Sequence, residues 1–468
     1  MKLSFENLGA LDKGEIELAE LTIVCGENNT GKTYVTYALY CLLKTWKRLI
    51  SLNLTREFAE LRRFGVVKID AQEKIVNEWS DISQTVLESF HNAFPEMLAS
   101  KSDLFKSTKL DFLINLDDCW KKEKFTRELR SGKDRLLITI HKQENSSIVE
   151  IAAPKPDEAP ASSLSPLREF IEEALIDMIL VGTIPNVFMV STERTGATTF
   201  RNELNLAKNR IIDLLTQAHK DGGGDLTPGK VFETIYRKKD YAMPVDDNVR
   251  FTNALPGVES EISPLLKEEP SLFDQFSQIV GGQYSTNKDG ITYFQPKGTK
   301  VKLGLGEASS AVRSLLIVWY WLKYQARKGD LLMIDEPELN LHPANQRRMA
   351  RFIAALVNAG VKVFITTHSD TIVREFNTLI MFSRNLSHFD RVRSEHGYGQ
   401  NEQLSHNKVV LYVTGEAKFA VEGKTKRRTL KTLIKVTPDE KLGIDVESFD
   451  RTIIDMTRMQ DDLRYGGE

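Results

Sequence analysis

Residues 26–33 read Gly-Glu-Asn-Asn-Thr-Gly-Lys-Thr and match the phosphate-binding pattern G-x-x-x-x-G-K-[ST]. The two glycines let successive backbone N–H groups point at a β-phosphate, and the N-terminus of the following helix favours the same anion. We expect Lys32 to contact the β- and γ-phosphates of ATP and the Thr33 hydroxyl to ligate Mg²⁺. The predicted nucleotide-binding residues of this loop are Gly26, Asn28, Asn29, Thr30, Gly31, Lys32, Thr33 and Tyr34.

A second chemical feature is an apolar run, residues 331–334, that ends in the carboxylates Asp335 and Glu336. Asp335 is predicted to hold Mg²⁺ through a water, and Glu336 to polarise the attacking water as a general base. Alone, an apolar strand followed by Asp-Glu is a weak signal that an ordinary strand end also explains. The continuation Pro-Glu-Leu-Asn-Leu-His-Pro over residues 337–343 makes the pattern much more specific.

His368 ends another apolar run, residues 363–367. A single histidine at a strand end usually has a structural role. In a chain that also carries the phosphate-binding loop and the carboxylate pair, we expect its imidazole to contact the γ-phosphate and to respond to its presence.

Ser309 and Ser310 precede a helical pattern that runs to about residue 325. Small hydroxyl residues are common helix caps, and this is one interpretation. The other is a second phosphate-binding helix end, which would serve the nucleotide held by a neighbouring subunit.

These residues need strands and helices to position them. Strand patterns cover residues 2–8 and 15–24, and a helical pattern covers residues 34–46. The pattern is mainly helical from 48 to 185, with a hairpin near 136–151, and continues with a strand, Val187–Val190, a helix over 202–220 and an irregular stretch over 225–275. The predicted fold is an α/β P-loop NTPase with a large, mainly helical insertion. Residues 26–33, 335–343 and 366–369 resemble those of ABC-type ATPases, which implies the ABC-ATPase head type. The predicted segments are 1–47 and 276–383 for the ATPase head, 48–275 for the insertion, and 384–468 for a small C-terminal α/β extension.

Composition gives no bulk attraction to nucleic acid, because the 468 residues carry a net charge of −2. Two basic clusters, residues 121–135 and 424–435, are most simply solvated faces, and a nucleic-acid or partner contact is the minority interpretation. No uncharged apolar run approaches the ~20 residues that span a bilayer. With no signal-peptide pattern either, we expect a cytoplasmic protein without a membrane partner. Cys25 and Cys41 read as small core residues.

These elements in this order resemble the ABC-type ATPases of the SMC/Rad50/RecF and OLD-like branch. The residues that carry the resemblance are 5–9 (Phe-Glu-Asn-Leu-Gly), the phosphate-binding loop, 335–343 and 366–369. The resemblance implies ATP and Mg²⁺ as ligands, and a homodimer or higher homo-oligomer with ATP between the loop of one subunit and the Ser309–Ser310 helix of another. Ala311 stands where relatives have glycine. Arg194 resembles a strand-end arginine of this branch, which lies near the phosphates or in an ion pair.

The C-terminal part distinguishes between relatives. Residues 421–424 (Val-Glu-Gly-Lys) echo the start of the Toprim nuclease domain of OLD proteins, but no Asp-x-Asp follows. We therefore expect no nuclease domain in this chain. Residues 442–450 and the acidic end resemble the Toprim-less OLD-like ATPases, which are commonly the ATPase subunits of bacterial anti-phage systems such as PARIS and Septu. That resemblance implies a separately encoded effector, a nuclease or toxin. The alternative is a RecF- or Rad50-like repair ATPase that binds DNA, which the net charge does not indicate.

Overall fold

The structure is a computed structural model of the chain. It describes residues 1–114, 124–131, 135–153, 164–180, 183–200, 241–258, 261–287, 290–384, 386–420, 427–441, 443–444 and 458–463. Within these residues, no helix combines the length and the apolar character that a membrane span requires. The predicted helix over 202–220 and the Toprim-like residues 421–424 lie outside the described part of the chain.

The chain forms two compact units. The first comprises residues 1–4, 41–95 and 109–186, and the second comprises residues 5–40, 96–108 and 187–468. The second unit therefore contains the phosphate-binding loop, both carboxylates and His368.

A six-stranded sheet organises the second unit, in the order β16-β15-β3-β14-β13-β9. The five strands from β15 to β9 are mutually parallel, and β16 pairs antiparallel with β15. Every residue of β3 and β13 is buried, as expected for parallel strands covered on both faces. The strands are β3 (Leu21–Cys25), β9 (Val187–Val190), β13 (Leu331–Asp335), β14 (Lys362–Thr367), β15 (Val409–Ala420) and β16 (Arg427–Val436).

Helices and smaller strands complete the region around this sheet. One helix, α9 (Ser310–Tyr324), is buried without interruption from Ser314 to Leu322, which identifies it as a central core helix. The other helices are α1 (Lys32–Leu49), α5 (Arg194–Thr199), α6 (Met243–Val258), α7 (Pro264–Glu268), α8 (Ser271–Val280), α10 (Pro343–Asn358), α11 (Asp370–Phe382) and α12 (Phe389–His396). The smaller strands are β1 (Lys2–Leu8), β2 (Leu11–Glu17), β10 (Gly282–Thr286), β11 (Thr292–Pro296) and β12 (Leu303–Gly304).

The first unit combines helices with an antiparallel sheet in the order β4-β8-β7-β6. The predicted hairpin near residues 136–151 is confirmed by the β7–β8 pairing. The prediction of a mainly helical insertion missed the strands on either side of that hairpin. The elements are α2 (Thr55–Phe64), β4 (Val66–Asp70), α3 (Ala71–Met97), β5 (Lys109–Leu113), β6 (Phe125–Ser131), β7 (Arg135–Lys142), β8 (Ile148–Ala152) and α4 (Leu164–Leu180).

Three predicted segments differ from the structure. Strand β9, assigned by sequence to the insertion, is an edge strand of the central sheet because it pairs with β13. Residues 225–275 are not irregular throughout, because α6, α7 and part of α8 lie there. The predicted extension from residue 384 is not a separate appendage, since β15 pairs directly with β3. The central sheet therefore contains strands from all four predicted segments of the chain.

Candidate active site

The phosphate-binding loop connects β3 to α1, which begins at Lys32. Lys32 is a buried residue, and its ammonium group donates hydrogen bonds to the carbonyls of Gly26 at 2.8 Å and Glu27 at 2.7 Å. Gly26 and Gly31 adopt φ values of 145° and 98°, which L side chains rarely adopt. Burial lowers the pKa of Lys32, and the charges of Glu336 and Asp335 oppose that change. The loop is thus curled around its own lysine.

Strand register brings the two carboxylates to this loop. Strand β14 lies between β3 and β13, and its residue Thr366 is the partner of both Val24 and Asp335. Adjacent strands are about 4.8 Å apart, so the backbone of Asp335 lies roughly 10 Å from that of Val24. All three strands are parallel, and their carboxyl ends form one edge of the sheet. The sequence prediction that Lys32 and the Asp335–Glu336 pair share a site agrees with this arrangement.

Asp335 is buried at the end of β13 and has one carboxylate oxygen without a protein partner. Its Oδ1 accepts a hydrogen bond from the hydroxyl of Thr366, whereas the buried Oδ2 has no hydrogen bond within the described residues. Burial raises the pKa of Asp335 from 3.8 to about 6, and the Thr366 hydrogen bond acts in the opposite direction. A buried, unsatisfied carboxylate oxygen suits a hard divalent cation. Asp335 therefore offers an oxygen that fits Mg²⁺, and the role of the exposed residue Thr33 at the start of α1 as a further ligand stays a prediction.

Asp335→Asn is expected to stabilise the magnesium-free protein. The pKa of Asp335 is higher in the folded protein than in the unfolded chain, so the unfolded chain loses this proton more easily. The free energy of unfolding therefore falls as pH rises from about 4 to about 6, and it stays at the lower value above pH 6. Asparagine removes that cost, and we expect a gain of about 1–3 kcal/mol at pH 7.5 and a smaller gain at pH 5. Urea unfolding with a chelator at both pH values measures it. The exposed Asp81→Asn is the control, and a gain independent of pH would contradict the assignment.

Glu336 follows Asp335 in a left-handed backbone conformation, with φ of 51°. Such a conformation is uncommon for a residue with a side chain, so its surroundings must hold it in place. Its N–H donates to the carbonyl of Thr366 at 3.1 Å, and the Thr366 hydroxyl is also 3.1 Å from that nitrogen. The Glu336 side chain is 23% exposed, which leaves the carboxylate accessible to water.

Arg194 is buried and stabilises the backbone at Asp335 and Glu336. Its guanidinium donates to the carbonyls of Ser191 at 2.9 Å, Asp335 at 2.7 Å and Glu336 at 2.7 Å. Burial lowers the pKa of Arg194 to about 10, so the group remains a cation at neutral pH. The sequence left two interpretations of Arg194, a place near the phosphates and an ion pair, and neither anticipated these bonds to backbone carbonyls. The charges of Asp335 and Glu336 act on the guanidinium, and a place near the phosphates stays a prediction. Arg194 orients the backbone that carries both carboxylates.

His368 lies beside Glu336, and its predicted contact with the γ-phosphate stays a prediction. Its Nδ1 is 3.3 Å from Oε1 of Glu336 and 3.4 Å from Oε1 of Glu338, and its side chain is 47% exposed. Glu338 was not predicted as a site residue. Its Oε1 accepts from the backbone N–H of His368 at 2.9 Å and from the Thr367 hydroxyl at 2.8 Å, so it links the two strand ends. Its carboxylate side chain and its position within the 335–343 pattern are the sequence features that could have identified Glu338 as a site residue.

Ser309 and Ser310 lie at the start of α9. Ser309 caps the helix, because its hydroxyl accepts a hydrogen bond from the N–H of Val312 at 3.3 Å. The capping interpretation is therefore confirmed. Both serines are exposed, so the helix end is accessible to a second molecule. The phosphate-binding interpretation stays a prediction.

The described members of the basic clusters include several in local ion pairs. Arg127 lies 2.8 Å from Glu173, and Arg130 lies 2.8 Å from Glu128. In the second cluster, Lys435 lies 2.9 Å from Glu17. These pairs favour the interpretation as ordinary surface charge. Lys121, Lys122, Lys133, Lys424 and Lys426 lie outside the described residues.

Comparison with known proteins identifies the family. A family model described as an AAA ATPase domain (AAA_15) matches residues 1–373. No curated protein matches the chain. Among solved structures, the SmcHead bound to the C-winged helix domain of ScpA is similar with 11% identity and a TM-score of 0.34, over 92% of this chain and 97% of that chain. The Smc head domain with an extended coiled coil bound to the C-terminal domain of ScpA, derived from Pyrococcus furiosus, has 11% identity and a TM-score of 0.32, over 98% of each chain.

The family match covers the phosphate-binding loop, both carboxylates and His368. Together with the parallel sheet, it confirms the predicted α/β fold of a P-loop ATPase domain. The chain belongs to the AAA ATPase domain family (AAA_15).

Proposed function

We propose that the chain binds ATP with Mg²⁺ and hydrolyses it as an ABC-type ATPase, in sites that a second copy completes. Family membership supports ATP hydrolysis. The observation that most strongly supports this proposal is that the Lys32 loop and the Asp335–Glu336 pair lie at the same edge of one sheet. Strand β14 pairs with both β3 and β13 and so brings them together. Phosphate binding and water activation can then act on the same triphosphate.

The side chains divide the chemistry of hydrolysis among them. Lys32 and the loop N–H groups bind the β- and γ-phosphates and stabilise charge that develops on their oxygens. The Glu336 carboxylate accepts a proton from water as the water oxygen bonds to the γ-phosphorus and the bond to the β,γ-bridging oxygen breaks, which yields ADP and phosphate. His368, within hydrogen-bonding reach of Glu336, contacts the γ-phosphate. Thr33 and Asp335 would hold Mg²⁺, which neutralises phosphate charge when bound.

The start of α9 supports a shared site. An exposed helix N-terminus with two small hydroxyl residues presents N–H groups and a favourable dipole to an anion. In the proposed homodimer or higher homo-oligomer, Ser309 and Ser310 of one copy contact the γ-phosphate held by Lys32 of another copy.

Ser310→Arg is expected to leave ATP affinity within about twofold of wild type and to reduce turnover at least about 100-fold, because the new side chain blocks only the partner's site. Phosphate release and nucleotide titration measure the two effects. Ser271→Arg, at the first position of α8, is the matched control. Mixing Ser310→Arg with Lys32→Ala protein should restore part of the turnover, because each mixed dimer contains one intact site. Wild-type turnover by Ser310→Arg alone would refute the shared site.

We also propose that this ATPase controls a separately encoded effector, a nuclease or toxin, in anti-phage defence. The support is the resemblance of residues 335–343 and 366–369 to the SMC/Rad50/RecF and OLD-like branch, together with residues 421–424, which no Asp-x-Asp follows, and residues 442–450, which resemble Toprim-less OLD-like ATPases. The test is phage plating on cells that express the chain with its neighbouring reading frames. Protection that requires both the neighbour and Lys32 supports the proposal. Absence of protection, combined with salt-dependent DNA binding by the purified chain, would favour the repair ATPase instead.

A further inference from the structure

Strand β15 carries a residue against the phosphate-binding loop. It pairs in parallel with β3, from the pair Val409 and Leu21 to the pair Val413 and Cys25. Cys25 is the last residue before the loop. The next residue on each strand is Thr414 on β15 and Gly26 in the loop. A Cβ at Gly26 would lie 1.8 Å from the Thr414 hydroxyl, so these two positions are in direct contact. Glycine at position 26 therefore makes room for Thr414 as well as for a phosphate.

The Thr414 hydroxyl begins a chain of hydrogen bonds that ends at Lys32. It donates to the Thr30 hydroxyl at 2.8 Å, and Thr30 donates to the carbonyl of Glu27 at 2.7 Å. The same Glu27 carbonyl accepts a hydrogen bond from the ammonium group of Lys32 at 2.7 Å. Because Thr30 uses its hydrogen on Glu27, Thr414 must be the donor in the first bond.

The position of Thr414 is fixed by the hairpin that carries it. Strand β16 pairs with β15 along its whole length, including Thr414 with Leu433. The Tyr412 hydroxyl accepts the N–H of Glu17 at 2.8 Å, and Lys435 lies 2.9 Å from the carboxylate of Glu17. These contacts tie the hairpin to β2, so that Thr414 is a fixed point against which the loop can rest.

We propose that Thr414 is a positioning residue for the phosphate-binding loop, which it holds in the curl that receives the β-phosphate. The proposal rests on the proposed nucleotide binding and adds a residue from the C-terminal hairpin to it. Loss of the hydroxyl leaves the loop free to leave this curl in the absence of nucleotide. Ligand affinity then falls with the population of the competent curl, whereas turnover of the bound nucleotide changes little.

The test compares Thr414→Val, which keeps the side-chain shape and removes the hydroxyl, with Thr414→Ser, which keeps the hydroxyl. Calorimetric titration with ADP·Mg²⁺ and with the non-hydrolysable analogue AMP-PNP·Mg²⁺ should show about 3- to 10-fold weaker binding of both by Thr414→Val. Thr414→Ser should bind within about twofold of wild type. The KM for ATP should rise by the same factor as the dissociation constant, with kcat within about twofold.

Thr432→Val is the matched structural control, because Thr432 is a buried threonine of β16 in the same hairpin. It should leave nucleotide affinity unchanged. A double-mutant cycle gives a second measurement: Thr30→Val together with Thr414→Val should weaken binding no more than Thr30→Val alone, because both break one chain of bonds.

Each outcome decides the proposal. The proposal would be overturned if Thr414→Val bound nucleotide like wild type, or if Thr414→Ser or Thr432→Val lost as much affinity as Thr414→Val. Additive losses of affinity in the double variant would also overturn it. If Thr414→Val does not fold, Thr30→Val decides, since it breaks the same chain of bonds and should weaken the binding of both nucleotides by the same factor. Wild-type affinity in Thr30→Val would then overturn the proposal. Failure of the wild-type chain itself to bind either nucleotide would instead refute the proposed function.

Discussion

Replacement of Lys32 by alanine is expected to weaken ATP binding at least about 100-fold and to remove measurable turnover. Lys32 is a buried residue within the loop, and its ammonium group supplies hydrogen bonds assisted by charge. Losing such bonds to a phosphate at about 1.5–3 kcal/mol each, for two phosphates, accounts for that factor. Titration with AMP-PNP·Mg²⁺ and phosphate release from ATP measure the two effects.

A matched control is available on the same helix. Lys44 lies on α1 and is exposed, so Lys44→Ala removes an equal charge without touching the loop. It should bind and turn over ATP like wild type. The Lys32→Ala protein should also retain its fold, because alanine favours the helix that begins there. Undiminished affinity of Lys32→Ala would show that the loop does not bind the nucleotide phosphates.

The sequence predicts those parts of the site that local patterns determine. The loop at 26–33 and the strand ends at Asp335 and His368 were found because each combines a short motif with the apolar strand that must precede it. The helix start at Lys32 also follows from local rules, since glycine ends the loop and the next residues favour a helix.

The remaining site residues depend on distant pairing, which a single sequence does not specify. Arg194 acts through the carbonyls of Asp335 and Glu336, and carbonyls leave no mark in a side-chain pattern. Thr414 reaches the loop only because β15 pairs with β3, nearly four hundred residues earlier in the chain. The apolar run 409–413 was the available signal for a buried strand, but not for its neighbour. Parallel strands can take several orders with the same local pattern, which is why the C-terminal segment was assigned to a separate extension.

Glu336→Gln is expected to bind ATP with affinity close to that of wild type and to reduce kcat by about 10²–10⁴, the usual contribution of a general base. Glutamine keeps the shape of the side chain. The Glu336 N–H donates to Thr366 and the Glu336 carbonyl accepts from Arg194, and these bonds do not involve the carboxylate. The variant therefore loses the ability to accept the proton without losing the site. Phosphate release under saturating ATP measures kcat.

The same substitution also tests the shared site, because an ATP that is bound and not hydrolysed should hold two copies together. Size-exclusion chromatography with light scattering should show a dimer or larger species of Glu336→Gln with ATP·Mg²⁺ and less of it with ADP·Mg²⁺, since only ATP carries the γ-phosphate that Ser309 and Ser310 of the second copy would contact. The exposed Glu268→Gln is the control and should turn over like wild type. Wild-type turnover by Glu336→Gln would show that another group is the base. His368, whose Nδ1 lies 3.3 Å from Oε1 of Glu336, would be the first to test. A monomer that binds ATP but does not hydrolyse it would confirm the base and reject the shared site, so the two halves of the proposal are separated by one variant.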